Sequence, residues 1–480
     1  MRILIVSHLF PPAHSAGVEV YASELAKGLL SLGHEVAVLH TGKHVGRANL
    51  RIERHGWQGL QVFELVQNLF HTRFEETWNH PGIDARFAEV LDEFQPEVVH
   101  FQHLMYLSVG CLALARAKAR AVLFTLHDYN VECAAMGQLV HADGSVCEVV
   151  DTQRCGTCIP HVAWAQGDKQ RRVGRTLGMV HKLTRVDLGP LARRIAGPGR
   201  PAVTRGQDPA PVAAEQIATC ARWAEARRDG MRAAMAENVQ RFLCPSRFLM
   251  QRMTDFGLPA DRMRLVATGV EEGDFLQPAQ VLERNTIGSR PVQITFLGTL
   301  IPIKGPHLLL EAWRRLPAEL RTRGELTIAG PTNHAPPYVE GLRAAAEELM
   351  VELRGRQNRN QVAELLGKTD LLVMPSQWFE NRPLILHEAL ALGVPCLVSD
   401  LGGMAELVRP GIDGWHFPMG DARALANRLA EVLREPEQLA RLRPKSPELL
   451  GWRAVAEQHI EHYQELLAPK DAPRPDESPL

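Results

Sequence analysis

Residues 375–403 read PSQWFENRPLILHEALALGVPCLVSDLGG, and this stretch carries the strongest indication of the fold. An apolar run ends near Pro375, a loop follows, and Pro383 stands where a helix starts, a place at which its missing N–H costs nothing. Gly393 is placed to end that helix. A strand that leads through a loop into a helix N-terminus presents free N–H groups and the positive end of the helix dipole to an anion. The stretch therefore predicts an anion site at the edge of an α/β sheet.

Two carboxylates accompany this helix start. Glu380 lies in the loop, and Glu388 lies roughly 7 to 8 Å beyond Pro383 along the helix axis at the usual rise per residue. The helix is otherwise apolar nearly all round, so a lone acid within it is costly unless it has a partner. We interpret the two carboxylates as groups that hold the opposite ends of an extended ligand whose phosphates lie between them. The alternative is a structural loop that leads into an ordinary amphipathic helix.

Short apolar runs alternate with helical patterns along the chain, which predicts parallel sheets with right-handed crossovers. The pattern stops at 277–290, which contains Pro and Gly and lacks strong periodicity, and then restarts. The sequence thus predicts two open α/β units. The predicted strands are 3–6, 35–39, 98–102, 122–126 and 242–245 in the first unit, and 294–297, 326–329, 371–374 and 396–399 in the second.

Segments that depart from this alternation complete the expected domain organisation. The N-terminal unit spans 1–276 and contains a Cys-rich loop at 133–158 and a helical insert at 161–239. The C-terminal unit spans 277–450, and a helical stretch at 451–469 follows it. The tail at 470–480 has three prolines and is expected to be disordered.

Length and composition restrict the function classes. The chain has 480 residues, 45% of them hydrophobic and 23% charged, which is typical of a globular protein with two domains. Its formal net charge of -1 provides no overall field for nucleic acid or an anionic membrane. The N-terminal MRILIVSHLFPP is too short for a signal peptide, and no apolar run approaches the roughly 20 residues that span a bilayer. We therefore expect a cytoplasmic protein that does not bind nucleic acid.

A series of motifs resembles one enzyme family when taken in order. Glu380-x7-Glu388, with Pro383 and the following Gly393-Val394-Pro395, is similar to the signature of the retaining glycosyltransferase family four, which has the GT-B fold. Lys304-Gly305, after the strand at 294–297, resembles the segment that contains the family's donor-phosphate lysine. Further matches in order are Ala16-Gly17-Val18-Glu19, Gly33-His34-Glu35-Val36, Thr125-Leu126-His127, Ala329-Gly330-Pro331, Pro375-Ser376, Gly402-Gly403 with Glu406, and 411–418.

The resemblance implies two Rossmann-like domains that face a central cleft, with a role for each matched position. Lys304 neutralises the donor diphosphate, and His127 faces the sugar from the N-terminal domain. Glu380 holds the donor sugar and phosphate together with backbone N–H groups, and Glu388 accepts hydrogen bonds from the ribose hydroxyls. The implied catalytic residues are His127, Lys304 and Glu380. The implied donor-binding residues are Gly17, Gly298, Thr299, Lys304, Glu380, Asn381, Arg382, Pro383, Leu384, Ile385 and Glu388.

The family also implies the chemistry. It moves a hexosyl group from a nucleotide sugar, here a UDP-, GDP- or ADP-sugar, to a glycan or lipid-linked acceptor, as in polysaccharide biosynthesis, and retains the anomeric configuration. Same-face substitution, in which the leaving diphosphate helps to deprotonate the acceptor, needs no carboxylate nucleophile of the kind that retaining glycosidases use. No catalytic metal is expected, because Lys304 and helix dipoles neutralise the diphosphate. The last helical stretch is expected to cross back and brace the N-terminal domain.

Other functions remain compatible with this architecture. An epimerase or a phosphorylase would have a similar cleft, although the order of the motifs favours transfer. A non-catalytic protein that binds nucleotide sugars is also compatible, since Thr299 stands where the family usually has Arg. A dinucleotide-dependent oxidoreductase is disfavoured, because residues 8–19 lack the G-x-G-x-x-G spacing.

Four positions depart from the family pattern. Thr299 removes a cation from the diphosphate, and we expect Arg354 or Arg356 to replace it. Arg382 occupies a position where smaller or apolar residues are commoner. The usual Gly-Gly of the first loop is Ala16-Gly17, and the usual Asn-Gly after the linking strand is Thr268-Gly269.

A basic stretch in the helical insert suggests a partner. Its cations are Lys169, Arg171, Arg172, Arg175, Lys182 and Arg185, with Asp168 as the opposing charge nearby. Basic clusters attract anionic lipid by about 1 kcal/mol per charge near the surface. We expect peripheral contact with the inner face of a membrane or with a lipid-linked acceptor; the alternative is a solvated helix face.

Four cysteines in the Cys-rich loop predict a structural metal. Cys155 and Cys158 form a Cys-x-x-Cys motif that can hold one ion through a tight turn, and Cys133 and Cys147 complete a tetrahedral set. His141 and His161 are reserve ligands. We expect zinc, since disulfides are disfavoured in a reducing cytoplasm. A redox motif or four unrelated buried thiols are the alternatives.

Overall fold

The computed structural model describes residues 1–14, 16–184, 186–189, 211–270, 287–333, 335–442, 444 and 450–469. Within those residues the strands form an eight-stranded sheet, a six-stranded sheet and a two-stranded pair. The predicted tail at 470–480 and most of the predicted linker at 277–290 lie outside the described residues. In the described part of the chain no helix has the length and apolar character needed to cross a membrane.

The first sheet belongs to the N-terminal unit. Its order is β3-β4-β2-β1-β5-β6-β7-β8, and β3 and β4 form an antiparallel hairpin while the other neighbours are parallel. The five strands predicted in this half are present, whereas β3, β4 and β8 were not predicted. The strands are β1 Arg2–Val6, β2 Glu35–Gly42, β3 Ile52–Trp57, β4 Leu60–Val66, β5 Val98–Phe101, β6 Ala121–Thr125, β7 Arg241–Cys244 and β8 Met263–Leu265.

Helices cover both faces of this sheet. The first helix buries Tyr21, Leu25 and Leu29 against the sheet and ends before Gly33, whose φ of 83° lies in the left-handed region that glycine adopts readily after a helix. The Cys-x-x-Cys motif lies on a short helix, not in the predicted tight turn, because Asp151 caps its start by accepting a hydrogen bond from Gln153 N at 2.9 Å. The helices are α1 Gly17–Ser31, α2 Pro81–Phe94, α3 Gly110–Lys118, α4 Thr152–Cys158, α5 Asp168–Thr184, α6 Ala214–Asn238 and α7 Arg247–Phe256.

The second sheet is entirely parallel and belongs to the C-terminal unit. Its order is β12-β11-β10-β13-β14-β15. The four predicted strands are present; the edge strands β12 and β15 were not predicted. The strands are β10 Val292–Leu297, β11 Gly324–Ala329, β12 Glu352–Arg354, β13 Leu371–Met374, β14 Cys396–Ser399 and β15 Gly414–Phe417. The helices are α8 Pro306–Arg315, α9 Ala318–Arg321, α10 Pro336–Glu348, α11 Arg359–Gly367, α12 Leu384–Ala391, α13 Gly402–Leu407, α14 Ala422–Arg434 and α15 Glu437–Arg441.

The chain returns to the N-terminal unit at its end. Strand β9 (Gly269–Val270) pairs in parallel with β16 (Leu450–Gly451), which leads into the last helix, α16 (Trp452–Leu467). Helix α16 packs on α1 so closely that a Cβ added to Gly28 would lie 2.9 Å from the Cβ of Ala456. The last helix therefore forms part of the N-terminal core.

Buried histidines anchor α16. His459 lies between Tyr21 OH, at 3.1 Å from its Nε2, and the carbonyl of Val455, at 2.8 Å from its Nδ1. Tyr463 OH lies 2.8 Å from Nδ1 of His100 on β5. Burial lowers the pKa of His459 to about 4, so this imidazole is neutral in the folded protein.

Because His459 is buried in its neutral form, the stability of the fold should decrease in acid. Because the pKa of His459 is lower in the folded protein than in the unfolded chain, its contribution to stability is complete above about pH 6.5 and is lost as the pH falls towards 4. His459→Asn, which cannot titrate, should reduce the pH dependence of the free energy of unfolding by up to about 1.4 kcal/mol per pH unit in that window. Denaturant unfolding between about pH 7.5 and 5 measures this. His55→Asn, at an exposed position, is the control, and an equal pH dependence in both variants would contradict the assignment.

Candidate active site

The carboxyl ends of the two parallel sheets face each other across the candidate site. Asn381, in the loop after β13, donates from Nδ2 to the carbonyl of His127, just after β6, at 3.2 Å. Its Oδ1 accepts a hydrogen bond from Ser246, which follows β7. Side chains at the carboxyl ends of parallel strands meet at one edge of a sheet, where open α/β folds bind ligands. The two units thus form one cleft.

An ion pair lies at the centre of the C-terminal side. Lys304 Nζ lies 2.5 Å from Glu380 Oε1, and Ser376 Oγ donates to the same oxygen at 2.9 Å. Glu380 is 4% exposed, so its charge is held by these two partners and not by solvent. Lys304 ends the short helical turn Pro302–Lys304 and lies 5.0 Å from the ring centre of Trp378. The structure thus joins two of the implied catalytic residues.

Gly305 fixes the position of this lysine. Its φ is 71°, in the left-handed region, and an added Cβ would lie 1.9 Å from the carbonyl oxygen of Pro375. A side chain here would push the turn away from the end of β13. Glycine at position 305 is therefore required by the backbone conformation, and lysine at position 304 by the charge of Glu380.

The second carboxylate has a partner that the sequence analysis missed. Glu388 is buried on α12 and pairs with Arg359 at 2.5 Å. Arg359 is the first residue of α11, which Asn358 and Gln361 start with a reciprocal capping box. Arg354, one of the two residues expected to replace the cation missing at Thr299, pairs with Glu352 at 2.8 Å, and the replacement by Arg354 or Arg356 stays a prediction. The Asn-x-x-Gln spacing could have located the helix start, although it could not have identified the partner.

The start of α12 is available to a ligand. Pro383 precedes the helix, and within the described residues no side chain caps its first turn. The N–H groups of Leu384 and Ile385 belong to that first turn and have no partner within the helix itself. The helix begins between the two carboxylates in sequence. A strand, a loop and an uncapped helix start follow one another here as predicted, and anion binding at this position stays a prediction.

His127 faces this loop from the N-terminal unit. Its Nε2 lies 2.8 Å from Gln102 Oε1, and its ring packs edge-on against Tyr21 with the centres 4.7 Å apart. Burial and, to a smaller extent, the nearby charge of His103 together lower the pKa of His127 to about 3, so the ring is neutral at physiological pH. It can contribute shape and a hydrogen bond, but no positive charge.

Two imidazole–carboxylate pairs beside His127 were not predicted. His103 Nε2 lies 3.0 Å from Asp128 Oδ2, and His8 Nε2 lies 3.4 Å from Glu19 Oε1. Burial raises the pKa of Glu19. Burial opposes ionisation of Asp128, but the neighbouring His103 lowers its pKa below the usual value. His8, His103 and Asp128 lie shortly after the ends of β1, β5 and β6, and Glu19 lies in the first turn of α1, positions that could have marked them.

The remaining implied donor residues are spread along the cleft. Gly17 is the first residue of α1, not part of the predicted loop, and an added Cβ there would contact nothing within 4 Å. At Gly298 an added Cβ would lie 3.2 Å from the ring of Phe296. Thr299 follows β10, and its carbonyl accepts a hydrogen bond from Ile301 at 2.9 Å. The four cysteines lie elsewhere, in the segment that packs on α6.

Comparison with known proteins identifies the family. Residues 280–448 match the family described as glycosyl transferases group 1, and residues 15–143 match that described as Glycosyltransferase Family 4. The chain belongs to the family 4 glycosyltransferases. The predicted family membership is therefore confirmed.

Curated relatives agree with this family. Over 193 residues the chain is 28% identical to a putative colanic acid biosynthesis glycosyltransferase, WcaL, of Salmonella typhimurium. This match covers 38% of the present chain and 45% of WcaL. Over 225 residues the chain is 27% identical to the D-inositol 3-phosphate glycosyltransferase of Rhodococcus opacus. This second match covers 45% of the present chain and 50% of the relative. The chain spans about half the length of the curated relatives it matches.

Solved structures agree with the fold. HepE of Anabaena, in complex with UDP and glucose, aligns with a TM-score of 0.60 at 14% identity over 97% of this chain and 100% of that chain. Sucrose-phosphate synthase from Thermosynechococcus elongatus aligns with a TM-score of 0.61 at 17% identity over 97% and 98% of the two chains. The predicted GT-B fold of this family 4 glycosyltransferase is confirmed.

The contacts of Asn381 predict that it couples the two domains. Asn381→Ala removes its hydrogen bonds to Ser246 and to the carbonyl of His127, and it should cost on the order of 1 to 3 kcal/mol of stability. Thermal unfolding should show a lower Tm, and proteolysis of the native protein should be faster between the domains. Asn360→Ala, at an exposed position of α11, is the control. Equal Tm values for the two variants would contradict the coupling.

Proposed function

We propose that this glycosyltransferase moves a hexosyl group from a nucleotide-sugar donor to a glycan or lipid-linked acceptor with retention of anomeric configuration. The observation that carries the proposal is the Lys304–Glu380 pair beside the uncapped start of α12, with buried Glu388 further along the same helix. A cation and free N–H groups suit a diphosphate. A carboxylate on each side suits the hydroxyls of a sugar and a ribose.

The donor-binding step follows from these contacts. The diphosphate accepts hydrogen bonds from the first turn of α12 and takes over the ammonium group of Lys304 from Glu380, which then turns to the sugar hydroxyls. Arg359 holds Glu388 in place to accept hydrogen bonds from the ribose. The departing diphosphate carries growing negative charge in the transition state, and Lys304 stabilises it there. No divalent metal is needed for this step.

Retention is supported by the state of the cleft carboxylates. With the donor bound, Glu380 is engaged by Ser376 and the sugar hydroxyls, and Asp128 stays paired with His103. A nucleophile that forms a covalent glycosyl intermediate needs a carboxylate free to approach the anomeric carbon. Same-face substitution, with the leaving diphosphate accepting the proton of the acceptor hydroxyl, makes no such demand. The neutral His127 would pack against the sugar without competing for that proton.

The comparisons suggest which donors and acceptors to test. HepE is described with UDP and with UDP-glucose, so UDP-sugars come first, before GDP- and ADP-sugars. Two relatives are named for colanic acid biosynthesis and amylovoran biosynthesis, which favours a growing glycan or its lipid-linked precursor as acceptor. Transfer should require that acceptor. Interconversion of the donor alone would instead indicate an epimerase.

Contact with a membrane is a further part of the proposal, and helix α5 carries it. Lys169, Arg172, Arg175 and Lys182 are exposed on this helix. Met179 is 66% and Leu183 80% exposed. Cations beside exposed apolar side chains suit a helix that lies on an anionic bilayer. A cytoplasmic protein would approach the inner face of the membrane in this way.

Two members of the predicted basic stretch do not support that surface. Arg171 was expected to belong to it, but its guanidinium bonds the carbonyl of His71 and the carboxylate of Asp168. It is therefore only partly exposed and its charge is offset. Arg185 lies outside the described residues.

The donor site predicts the effect of two substitutions. Lys304→Ala and Glu388→Ala should each weaken binding of UDP-glucose or the preferred donor by roughly 10- to 150-fold, since each removes a charge-assisted hydrogen bond worth about 1.5 to 3 kcal/mol. Titration calorimetry measures the affinity. The exposed pair Lys368 and Glu364 supplies the controls Lys368→Ala and Glu364→Ala. Unchanged donor affinity in both site variants would refute the site.

Helix α5 predicts binding to lipid vesicles. The protein should sediment with vesicles that contain anionic lipid at low salt, and less with vesicles of neutral lipid or at high salt. Leu183→Asp should reduce the bound fraction severalfold, because it places a charge on the apolar surface. Arg343→Glu, exposed on α10, is the control. Equal binding to neutral and anionic vesicles would contradict the proposal.

A further inference from the structure

Four cysteines outside the cleft converge on one buried volume of the N-terminal unit. Cys133, Cys147, Cys155 and Cys158 are each less than 10% exposed. None of the eight cysteines is part of a disulfide. The four come from three local structures, so their meeting is a property of the tertiary fold and not of one motif.

Each local structure is fixed by its backbone. Cys133 closes a turn by donating its N–H to the carbonyl of Tyr129 at 2.8 Å. Cys147 follows the Val140–Val146 bridge and donates its N–H to Leu139 at 2.7 Å. Cys155 and Cys158 lie three residues apart on α4, and therefore on the same face of that helix.

The packing of the side chains brings the four thiols together. Cys133, Cys147 and Cys158 belong to one cluster of buried side chains. Cys155 lies about one helical turn before Cys158 on the same face of α4. The four thiols are therefore neighbours within the N-terminal core.

A buried guanidinium faces this cluster. Arg227 on α6 is 5% exposed, and its NH2 donates to the carbonyl of Asn130 at 2.6 Å. Its NH1 is buried and has no hydrogen-bond partner in the described part of the chain. Asn130 lies in the turn that Cys133 closes, and α6 packs on α4, so the guanidinium lies beside the segment that carries the cysteines. No ion pair to Arg227 occurs among the described residues, so a buried cation lacks the anion that it needs.

We propose that Cys133, Cys147, Cys155 and Cys158 bind one structural Zn²⁺ as thiolates, and that Arg227 balances the charge of the site. Four thiols lose four protons on binding, and four thiolates around one Zn²⁺ carry a net charge of about minus two, which a neighbouring guanidinium partly offsets. His141, whose Nδ1 lies 3.5 Å from Cys158 Sγ, then acts as a hydrogen-bond partner of a ligand and not as a ligand.

The proposed Zn²⁺ would draw the four thiols into a tetrahedral arrangement. Among the described residues no three His, Cys, Asp or Glu side chains yet stand close enough to hold a metal ion. Binding therefore requires the thiols to turn about their side-chain torsions towards a common centre. Zn²⁺ fits better than a hard cation, because thiolates are soft ligands and zinc accepts a tetrahedral set.

The position of the cluster connects it to the cleft. Cys133 is four residues beyond Tyr129, whose ring lies 6.2 Å from that of Phe379. Phe379 belongs to the donor loop, residues 375–383, which also carries Glu380. Arg252 also faces both rings, and it pairs with Glu132 at 2.9 Å, next to Cys133. The ion would hold the wall against which the donor loop packs.

Elemental analysis of the full-length protein, purified without chelator or metal affinity resin, tests the proposal. We expect about one zinc per chain, lost together with protection from proteolysis at 133–158 in the Cys155→Ser/Cys158→Ser variant. Cys111→Ser and Cys396→Ser, both remote from the cluster, should keep the metal. If the double variant does not fold, removal of zinc from the wild-type protein by chelator gives the same readout.

A matched pair of variants tests the role of Arg227. Arg227→Met should weaken zinc affinity at least about tenfold in a chelator competition, because it removes the balancing charge. Arg228→Met, next to it and facing Glu132 at 3.8 Å, should leave the affinity within about twofold. Equal affinities would refute the charge-balancing role. Metal-free protein with four titratable thiols, a disulfide found by mass spectrometry, or bound iron with visible absorption would each overturn the zinc site.

Discussion

A buried carboxylate needs a partner, and this constraint organises the C-terminal side of the cleft. Glu380 and Glu388 are both almost inaccessible to solvent, and each is neutralised by a cation from a different element. Lys304 arrives on a turn after β10, and Arg359 arrives at the start of α11. One ion pair thus joins the turn after β10 to the loop after β13, and the other joins the start of α11 to α12. The same charges become available to a ligand when it replaces one partner of a pair.

The donor loop also depends on the N-terminal core. Phe379 belongs to the same hydrophobic cluster as the strands of the first sheet, and its ring stacks on Phe248 with the centres 5.2 Å apart. Glu406 on α13 accepts hydrogen bonds from the N–H groups of Arg247 and Phe248 at the start of α7, at 3.1 and 3.0 Å. The loop that carries Glu380 is therefore shared between the domains. Catalytic geometry and domain contact are parts of one packing arrangement.

Local patterns allowed most of the fold to be predicted from the sequence. Buried parallel strands such as β1 and β13 are continuous apolar runs and are easy to recognise. The hairpin strand β3 reads IERHGW, and its exposed middle gives no apolar alternation. Edge strands such as β12 have three residues and are too short for any period to appear. These were missed because tertiary pairing, not local preference, makes them strands.

The residues of the site also fall into those that the sequence could predict and those that it could not. Glu380 and Glu388 could be found because a loop and a helix start surround them in the sequence, whereas Lys304 was found only because Lys304-Gly305 resembles a family motif. Arg359 could not, because its partner is 29 residues away and only the folded chain brings them together. The pair of His103 with Asp128 is similarly the product of two adjacent strand ends. Sequence patterns identify the residues that a backbone needs, whereas the partners of a charge are set by three-dimensional neighbours.

The pairing of β9 with β16 has a consequence for where the N-terminal unit ends. Here the outgoing and returning segments lie side by side, and Gly269 packs so closely on Trp452 that an added Cβ would lie 2.5 Å from its ring. Trp452, Val455 and Tyr463 of α16 belong to the same hydrophobic cluster as β1 and α1. The core of the N-terminal unit is therefore built from both ends of the sequence. An N-terminal unit cut off before β16 would lack these side chains, so the two units are separate in architecture but joined in their folding.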